Sequence, residues 1–193
     1  MNGSPLRRSI AVAAALALAP LAACSDSSKQ SETGASQTPK SDSDTLAEAL
    51  SKQSDLSNLS KALRDTGLSQ VFDNSGSYTI FAPTNAAFGK LGDAGKALMQ
   101  QDRRPVLTAI LRDHIVPGYL TPEDIGTAID AQGGRAKVQT MGDHKLSFTR
   151  EGKGYQVTAE DGSTATIAGE AVTASDGVAI PVDGFLKKPS PGG

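Results

Sequence analysis

The chain has 193 residues, of which 38% are hydrophobic, 4% aromatic and 21% charged. Its 19 basic and 21 acidic side chains give a net charge of −2, which provides no electrostatic reason to bind nucleic acid. The single cysteine cannot form a disulfide within the chain, and a tetrahedral zinc site would need the two histidines together with carboxylates. We therefore expect one modest globular domain with additional unstructured segments, and neither a disulfide scaffold nor a metal centre.

Residues 1–23 have the features of a secretory signal. Arg7 and Arg8 precede an apolar run from Ile10 to Leu18, which is too short to span a membrane comfortably. The sequence therefore predicts that the chain is exported.

The end of this signal resembles the lipobox of bacterial lipoproteins. Leu21-Ala22-Ala23-Cys24 places the only cysteine where, in such proteins, the thiol is acylated and the residue becomes the first of the mature chain. The resemblance implies a lipid anchor on Cys24. The alternative is an ordinary signal peptide cut after Ala23 that leaves a free thiol.

Residues 24–43 contain no large apolar side chain and are predicted to be a disordered, Ser-rich tether.

The folded domain is predicted to span residues 44–189, and its first part is mainly helical. Thr45 and Glu48 have the spacing of a capping box, and a second helical period ends at Gly67. Residues 78–82 are rich in β-forming residues and precede Pro83, which predicts a buried strand.

Three further helices are predicted after this strand, and the first of them is opened by Thr84 to Phe88. Pro105 to Arg112 has apolar residues at helical spacing and is followed by a break at His114 to Gly118. Thr121 is in position to cap the next helix, which would end at Gly133-Gly134.

The pattern changes to strict alternation after Arg135, with turn signals between short apolar runs, which predicts successive antiparallel hairpins. The last run, Gly177 to Leu186, contains Pro181 and suits an edge strand or a bulge better than a central strand. Residues 190–193 are predicted to be disordered. The fold class that results is α+β.

Three separated segments resemble the signatures of fasciclin-type domains. Tyr78 to Phe88 (YTIFAPTNAAF) is similar to the first, Ile110 to Gly118 to the central one, and Asp176 to Pro189 to the terminal one. The resemblance implies a β-sandwich or wedge of about seven strands flanked by several short helices, used for adhesion and protein interaction. The motif residues that it singles out are Thr79, Phe81, Ala82, Pro83, Thr84, Asn85, Phe88, His114, Pro117, Gly118, Gly177 and Asp183.

Two positions depart from the family pattern. Asp113 stands before the central histidine, where the family commonly has tyrosine, and Ile180 replaces the histidine of the terminal motif. The tyrosine–histidine contact proposed for animal relatives therefore does not transfer to this chain.

The motif residues are interpreted as structural. The large aromatic side chains of Phe81 and Phe88 are expected in the core, with a ligand groove as the alternative. Thr84 and Asn85 suit the start of a helix. His114 is expected to pack behind a helix end and to bond to backbone atoms, with a general base or a haem or metal ligand as the alternative.

The sequence shows no pattern typical of an enzyme or a metal site. Asp113 and His114 are adjacent, and neighbours in an extended segment face opposite ways, so they are not expected to form a dyad. His144 is expected to be exposed in a hairpin turn. Residues 73–76 suggest an Asx-type turn rather than a calcium loop, because the spaced acids of such a loop are missing.

Three functions remain open from the sequence. The first is a membrane-anchored lipoprotein of the cell envelope whose domain mediates adhesion or protein interaction, without a cofactor. The second is a carrier of a small apolar ligand or haem in a cleft near His114, and the third is an enzyme. An exposed apolar patch would favour the first, and a deep apolar pocket beside His114 would favour the second.

Overall fold

A computed structural model describes residues 44–72 and 76–188. The predicted signal (1–23), the lipidation site Cys24, the tether, most of the predicted turn at 73–76 and the tail at 190–193 lie outside the described residues.

Six α-helices occur in the described residues, and most are only two or three turns long. They are α1 (Leu46–Ser51), α2 (Ser57–Thr66), α3 (Asn85–Lys90), α4 (Asp93–Leu98), α5 (Arg104–Arg112) and α6 (Pro122–Ala131). The capping signals are confirmed: Thr45 and Thr121 each complete a capping box, and Gly67 ends α2 in the left-handed conformation. No sequence pattern predicted α4.

Over residues 44–72 and 76–188, eight strands form two four-stranded sheets, one strand more than the seven or so expected. They are β1 (Tyr78–Pro83), β2 (Ile115–Pro117), β3 (Ala136–Gln139), β4 (Lys145–Glu151), β5 (Gly154–Ala159), β6 (Thr164–Thr166), β7 (Val172–Thr173) and β8 (Gly177–Val182). The first sheet has the order β2-β1-β8-β7 and the second the order β3-β4-β5-β6. The predicted hairpins are confirmed in the second sheet, where all the pairs are antiparallel.

The position of β8 corrects one expectation. Because β8 pairs in parallel with β1 and antiparallel with β7, it lies inside its sheet and not at an edge. Pro181 is tolerated there because β7 pairs only with Val178 and Ala179 and has ended before the proline is reached. The carbonyl of Pro181 still accepts a hydrogen bond from the N–H of Ala168.

The two sheets are joined by backbone hydrogen bonds at both sides. The N–H of Met141 donates to the carbonyl of Ile115 over 2.8 Å, which connects the end of β3 to β2. Beyond β6, Ile167 forms an isolated antiparallel bridge with Val182 of β8. The two sheets are therefore hydrogen-bonded to each other on both sides of the sandwich.

The hydrophobic core has two parts, which lie on opposite faces of the first sheet. One lies between the helices and the first sheet, and the other lies between the two sheets and α6. Ile80 of β1 contributes to the first part and Phe81 to the second, so β1 is buried on both faces. Two-sided burial explains why this strand is a continuous apolar run and does not alternate.

Candidate functional site

The first motif connects β1 to the helical layer through Thr84 and Asn85. Thr84 caps α3 by accepting a hydrogen bond from the N–H of Ala87 over 3.2 Å. The amide side chain of Asn85 binds the segment that begins α2: it accepts from the N–H of Asn58 (3.0 Å) and donates to the carbonyl of Ser54 (2.9 Å) and Oγ of Ser57 (2.9 Å). Asn85 therefore positions one helix against another.

The aromatic residues of the first motif lie in the core. Phe81 is fully buried and its ring centroid lies 5.1 Å from that of Phe148 in the opposite sheet. Phe88 meets Phe185 edge-on with centroids 4.9 Å apart. Ala82 and Pro83 are buried as well. These side chains therefore belong to the packed interior.

His114 is fully buried at the end of α5, and both of its ring nitrogens are hydrogen-bonded. Nδ1 lies 2.9 Å from the carbonyl of Ile110, and Nε2 accepts from the N–H of Leu186 over 3.0 Å. This pattern assigns the proton of the neutral ring to Nδ1. Burial lowers the pKa of His114 from 6.5 to about 4. Neither nitrogen offers a free lone pair to a haem iron or a metal.

Asp113 pairs with His144 and Lys187, a cluster that the sequence analysis missed. The carboxylate is only 4% exposed; Oδ1 lies 2.7 Å from Nδ1 of His144, and Oδ2 lies 3.3 Å from Nζ of Lys187. His144 lies in the predicted turn with its side chain 45% exposed, but the sequence did not predict its hydrogen bond to the buried Asp113 carboxylate. The partners lie far from Asp113 in sequence, and no local pattern predicts their contact.

The turn between β3 and β4 packs directly against this carboxylate. A Cβ atom on Gly142 would lie 2.0 Å from Oδ1 of Asp113, so glycine is required by close approach. The cavity beside Asp113 and His144 has a volume of about 10 Å³, which is about the space of one water molecule. The side chains of this cluster are closely packed, and the cavity beside them is too small for a substrate.

The loop after β2 joins the first motif to the central one. The buried hydroxyl of Thr79 donates to the carbonyl of Gly118 and accepts from the N–H of Leu120, both over 2.8 Å. Between these bonds lies Tyr119, which is 42% exposed and is the one large hydrophobic side chain exposed in the part of the chain that the structure describes. Pro117 at the end of β2 is exposed beside it.

The terminal motif holds β8 in place. A Cβ atom on Gly177 would lie 2.4 Å from the carbonyl oxygen of Tyr78, so the close β1–β8 pairing requires glycine. Asp183 accepts a hydrogen bond from the N–H of Thr166 (2.7 Å) and forms an ion pair with Lys90 (3.0 Å). These contacts, the bond from Thr166 first, lower the pKa of Asp183. Ile180, in place of the family's histidine, is fully buried in the core between the sheets.

Two larger surface grooves lie among the helices. One of about 600 Å³ is lined by Lys61, Asp65, Met99 and Arg104, and one of about 380 Å³ by Leu50, Leu63 and Arg64. Within residues 44–72 and 76–188, no three His, Cys, Asp or Glu side chains lie close enough together to hold a metal ion. None of the helices described here has both the length and the apolar character needed to cross a bilayer.

Comparison with known proteins identifies the family. The model of the fasciclin domain matches residues 54–188, which is most of the chain. The chain belongs to the fasciclin domain family. Its fold is similar to a FAS1 domain pair from the insect cell adhesion molecule fasciclin I, with a TM-score of 0.65 and 19% identity, over 75% of this chain and 51% of that one. The α+β fold class and the predicted family are confirmed.

Mycobacterial proteins are among the sequence relatives. The immunogenic protein MPB70 of Mycobacterium bovis is 36% identical over 124 residues, covering 62% of this chain and 64% of that protein. The cell surface glycolipoprotein MPB83 of the same species is 36% identical over 116 residues, covering 57% and 52%. The matches thus span less than two thirds of the length of either relative.

Proposed function

We propose that this chain is an exported lipoprotein, anchored to a bacterial membrane through Cys24, whose fasciclin domain mediates adhesion or protein interaction at the cell envelope. In this proposal residues 1–23 are the signal peptide, 24–43 the tether, 44–189 the domain and 190–193 a tail. The membrane is reached through the lipid, and the domain binds a protein or matrix partner and no nucleic acid.

The observation that carries the proposal is the loop that presents Tyr119. A tyrosine offers a large apolar area with a polar tip, and such residues are enriched among the dominant contacts of protein interfaces. Because Thr79 fixes the backbone on both sides of Tyr119, little conformational freedom remains to be lost on binding.

The buried motif residues support the same function indirectly. Phe81 and His114 are committed to core packing and to backbone hydrogen bonds, which leaves the surface to distinguish one partner from another. The naming of MPB83 as a cell surface glycolipoprotein supports the lipid anchor, since the lipobox of this chain places Cys24 where an anchor would be attached.

The carrier alternative has no support from the geometry around His114. A haem ligand needs a lone pair and a cavity, whereas both His114 nitrogens are bonded and the Phe185 ring lies against the imidazole at 5.5 Å. We therefore do not propose a haem or apolar ligand at this position.

The contact role of Tyr119 is tested by replacing it with serine. We expect the variant domain to retain its parent's unfolding temperature, because the side chain is exposed, and to lose about tenfold or more in affinity for envelope partners. Partners are captured by photo-crosslinking from position 119 in intact cells, and affinity is then measured with the captured protein. Lys153→Ser, in the exposed turn between β4 and β5, is the matched control. Equal affinity of Tyr119→Ser and the parent would refute this contact.

The lipid anchor is tested by Cys24→Ser. We expect the parent to require detergent for extraction from membranes and the variant to be an unprocessed precursor or a protein released without detergent. Mass spectrometry of the mature N-terminus detects the acyl chains directly. A mature-sized variant that stays on the membrane as the parent does would contradict lipidation.

A further inference from the structure

A short segment after β8, which we call the C-terminal strap (Phe185–Lys188), covers the end of α5. Phe185 and Leu186 are buried, and the strap follows Asp183, which is fixed by its contacts with Thr166 and Lys90. The strap itself belongs to no strand. It can therefore move about Asp183 without breaking a β-ladder.

Two consecutive residues at the end of α5 hold two consecutive residues of the strap. His114 accepts the backbone N–H of Leu186 over 3.0 Å, and Asp113 pairs with Lys187 over 3.3 Å. The next residue, Lys188, donates its N–H to Oδ2 of Asp161 over 2.8 Å.

The bond from Leu186 depends on the protonation state of His114. Because Nδ1 faces the carbonyl of Ile110, a second proton can be placed only on Nε2. That proton would point at the N–H of Leu186, so two donors would face each other where a donor and an acceptor now meet. Protonation of His114 and closure of the strap are therefore mutually exclusive in this geometry.

We propose that His114 is a proton-operated latch: a proton on its Nε2 breaks the bond to Leu186 and shifts the strap toward an open state while the two sheets remain folded. Opening exposes the apolar surface of Phe88, against which Phe185 now packs edge-on. Acid would thus uncover an apolar face beside the end of α5. This inference does not depend on the Tyr119 contact.

Other charged side chains lie around the strap, but they do not take the place of His114 as the group whose protonation controls the bond to Leu186. They are Asp113 from the end of α5, His144 from the β3–β4 turn, Lys90 from α3, Asp161 from the β5–β6 turn, and Asp183, Lys187 and Lys188 from the terminal segment. The pKa of Asp183 lies below its ordinary value, so its contacts persist to more acidic pH. Burial raises the pKa of Asp161, and the N–H bonds from Lys188 and Ser163 more than offset this effect.

The size of the effect follows from linkage. The pKa of His114 is about 4 with the strap closed, against an ordinary value of 6.5, so opening that returns the ring to water increases the open population by up to about a hundredfold between pH 7 and pH 4. Amide hydrogen exchange measures this population residue by residue.

The test compares the amides of Leu186 and Phe81 in the folded domain between pH 7 and pH 4. Phe81 donates to the carbonyl of His114 within the first sheet and reports whether β1 stays paired. We expect the protection factor of Leu186 to fall about a hundredfold without dependence on low urea, and that of Phe81 to remain higher and to decrease with urea. Equal protection of the two amides at every pH would mean that the strap opens only on global unfolding, and would overturn the proposal.

His114→Gln isolates the latch, because glutamine can keep both hydrogen bonds and does not titrate. We expect its Leu186 protection to change less than threefold over the same pH range, whereas His144→Gln, the matched control at the other histidine, should retain the parent's fall. An unchanged fall in His114→Gln would overturn the proposal. Should that variant not fold, the parent decides by NMR: the Leu186 amide shift must titrate with the same midpoint as the His114 ring, and a different midpoint refutes the latch.

Discussion

Asp113 and His114 are adjacent in the sequence and both are buried, but their polar groups are satisfied in different ways. Asp113 stays paired with two cations or donors, His144 and Lys187, whereas His114 is neutral and bonded only to backbone atoms. A buried charge needs a partner of opposite charge or several hydrogen bonds, and a buried imidazole needs only one donor and one acceptor. The adjacency of the two residues in sequence therefore says little about their chemistry.

Gly142→Ala tests the close packing around Asp113. Because the new methyl group would lie 2.0 Å from Oδ1, we expect a loss of about 1–3 kcal/mol in the free energy of unfolding, measured by urea denaturation. Gly154→Ala is the matched control, since the nearest atom to its Cβ would be 3.8 Å away. Equal stability of the two variants would show that the turn can move away from Asp113.

Thr79→Val tests the hydroxyl that fixes the Tyr119 loop. The change keeps the shape of the side chain but leaves the carbonyl of Gly118 and the N–H of Leu120 without this partner, so we expect a loss of about 1–3 kcal/mol. Thr127→Val on the exposed face of α6 should change stability by less than about 0.5 kcal/mol. The amide of Leu120 should also exchange faster in Thr79→Val, and unaltered exchange would contradict the role of the hydroxyl.

At the scale of elements, β1 is the part of the fold on which both core regions depend. Phe81→Ala removes a fully buried ring between the sheets, and we expect a loss of about 3–5 kcal/mol. Tyr119→Ala, which shortens an exposed aromatic side chain, is the control and should leave the thermal midpoint almost unchanged. A Phe81→Ala domain that unfolds within about a degree of the parent would mean that this ring is not part of the core.

Local signals account for the elements that were predicted from sequence. The capping box at Thr45, the left-handed Gly67 and the turns after Arg135 each act within a few residues, so a pattern in the sequence is sufficient to find them. The inner position of β8 was not predicted, because it depends on parallel pairing with a strand about a hundred residues earlier.

The residues of the candidate site also fall into two groups: those that a local sequence pattern predicts, and those that only the fold brings together. The sequence correctly suggested that Phe81 is a core residue, but it gave no signal for the contact of Asp113 with His144 and Lys187. That contact forms only when a helix end, a hairpin turn and the terminal segment are brought together by the fold. Tyr119 was likewise passed over, since a tyrosine after Pro-Gly is not distinctive until Thr79 is seen to fix its loop.

For the whole molecule, His114 predicts how stability depends on pH. Its pKa is about 4 in the folded state and about 6.5 in the unfolded chain, so the unfolded state binds more protons between these values. Stability from this residue is complete above pH 6.5 and is lost as the pH falls toward 4, by about 3 kcal/mol in total. Urea denaturation between pH 7 and pH 4 should show this slope, and His114→Gln should reduce it; an identical slope in both proteins would contradict the assignment.

The parallel pairing of β1 with β8 also constrains when the domain can fold. The register joins Tyr78 to Gly177, so the central ladder closes a loop of about a hundred residues, and such distant contacts make folding slow. The first half of the chain cannot complete its core alone, because one edge of β1 pairs with β8, which is the last strand to be synthesised. In the export that we propose, the native sheet can form only once the segment through Val182 is available to pair with β1.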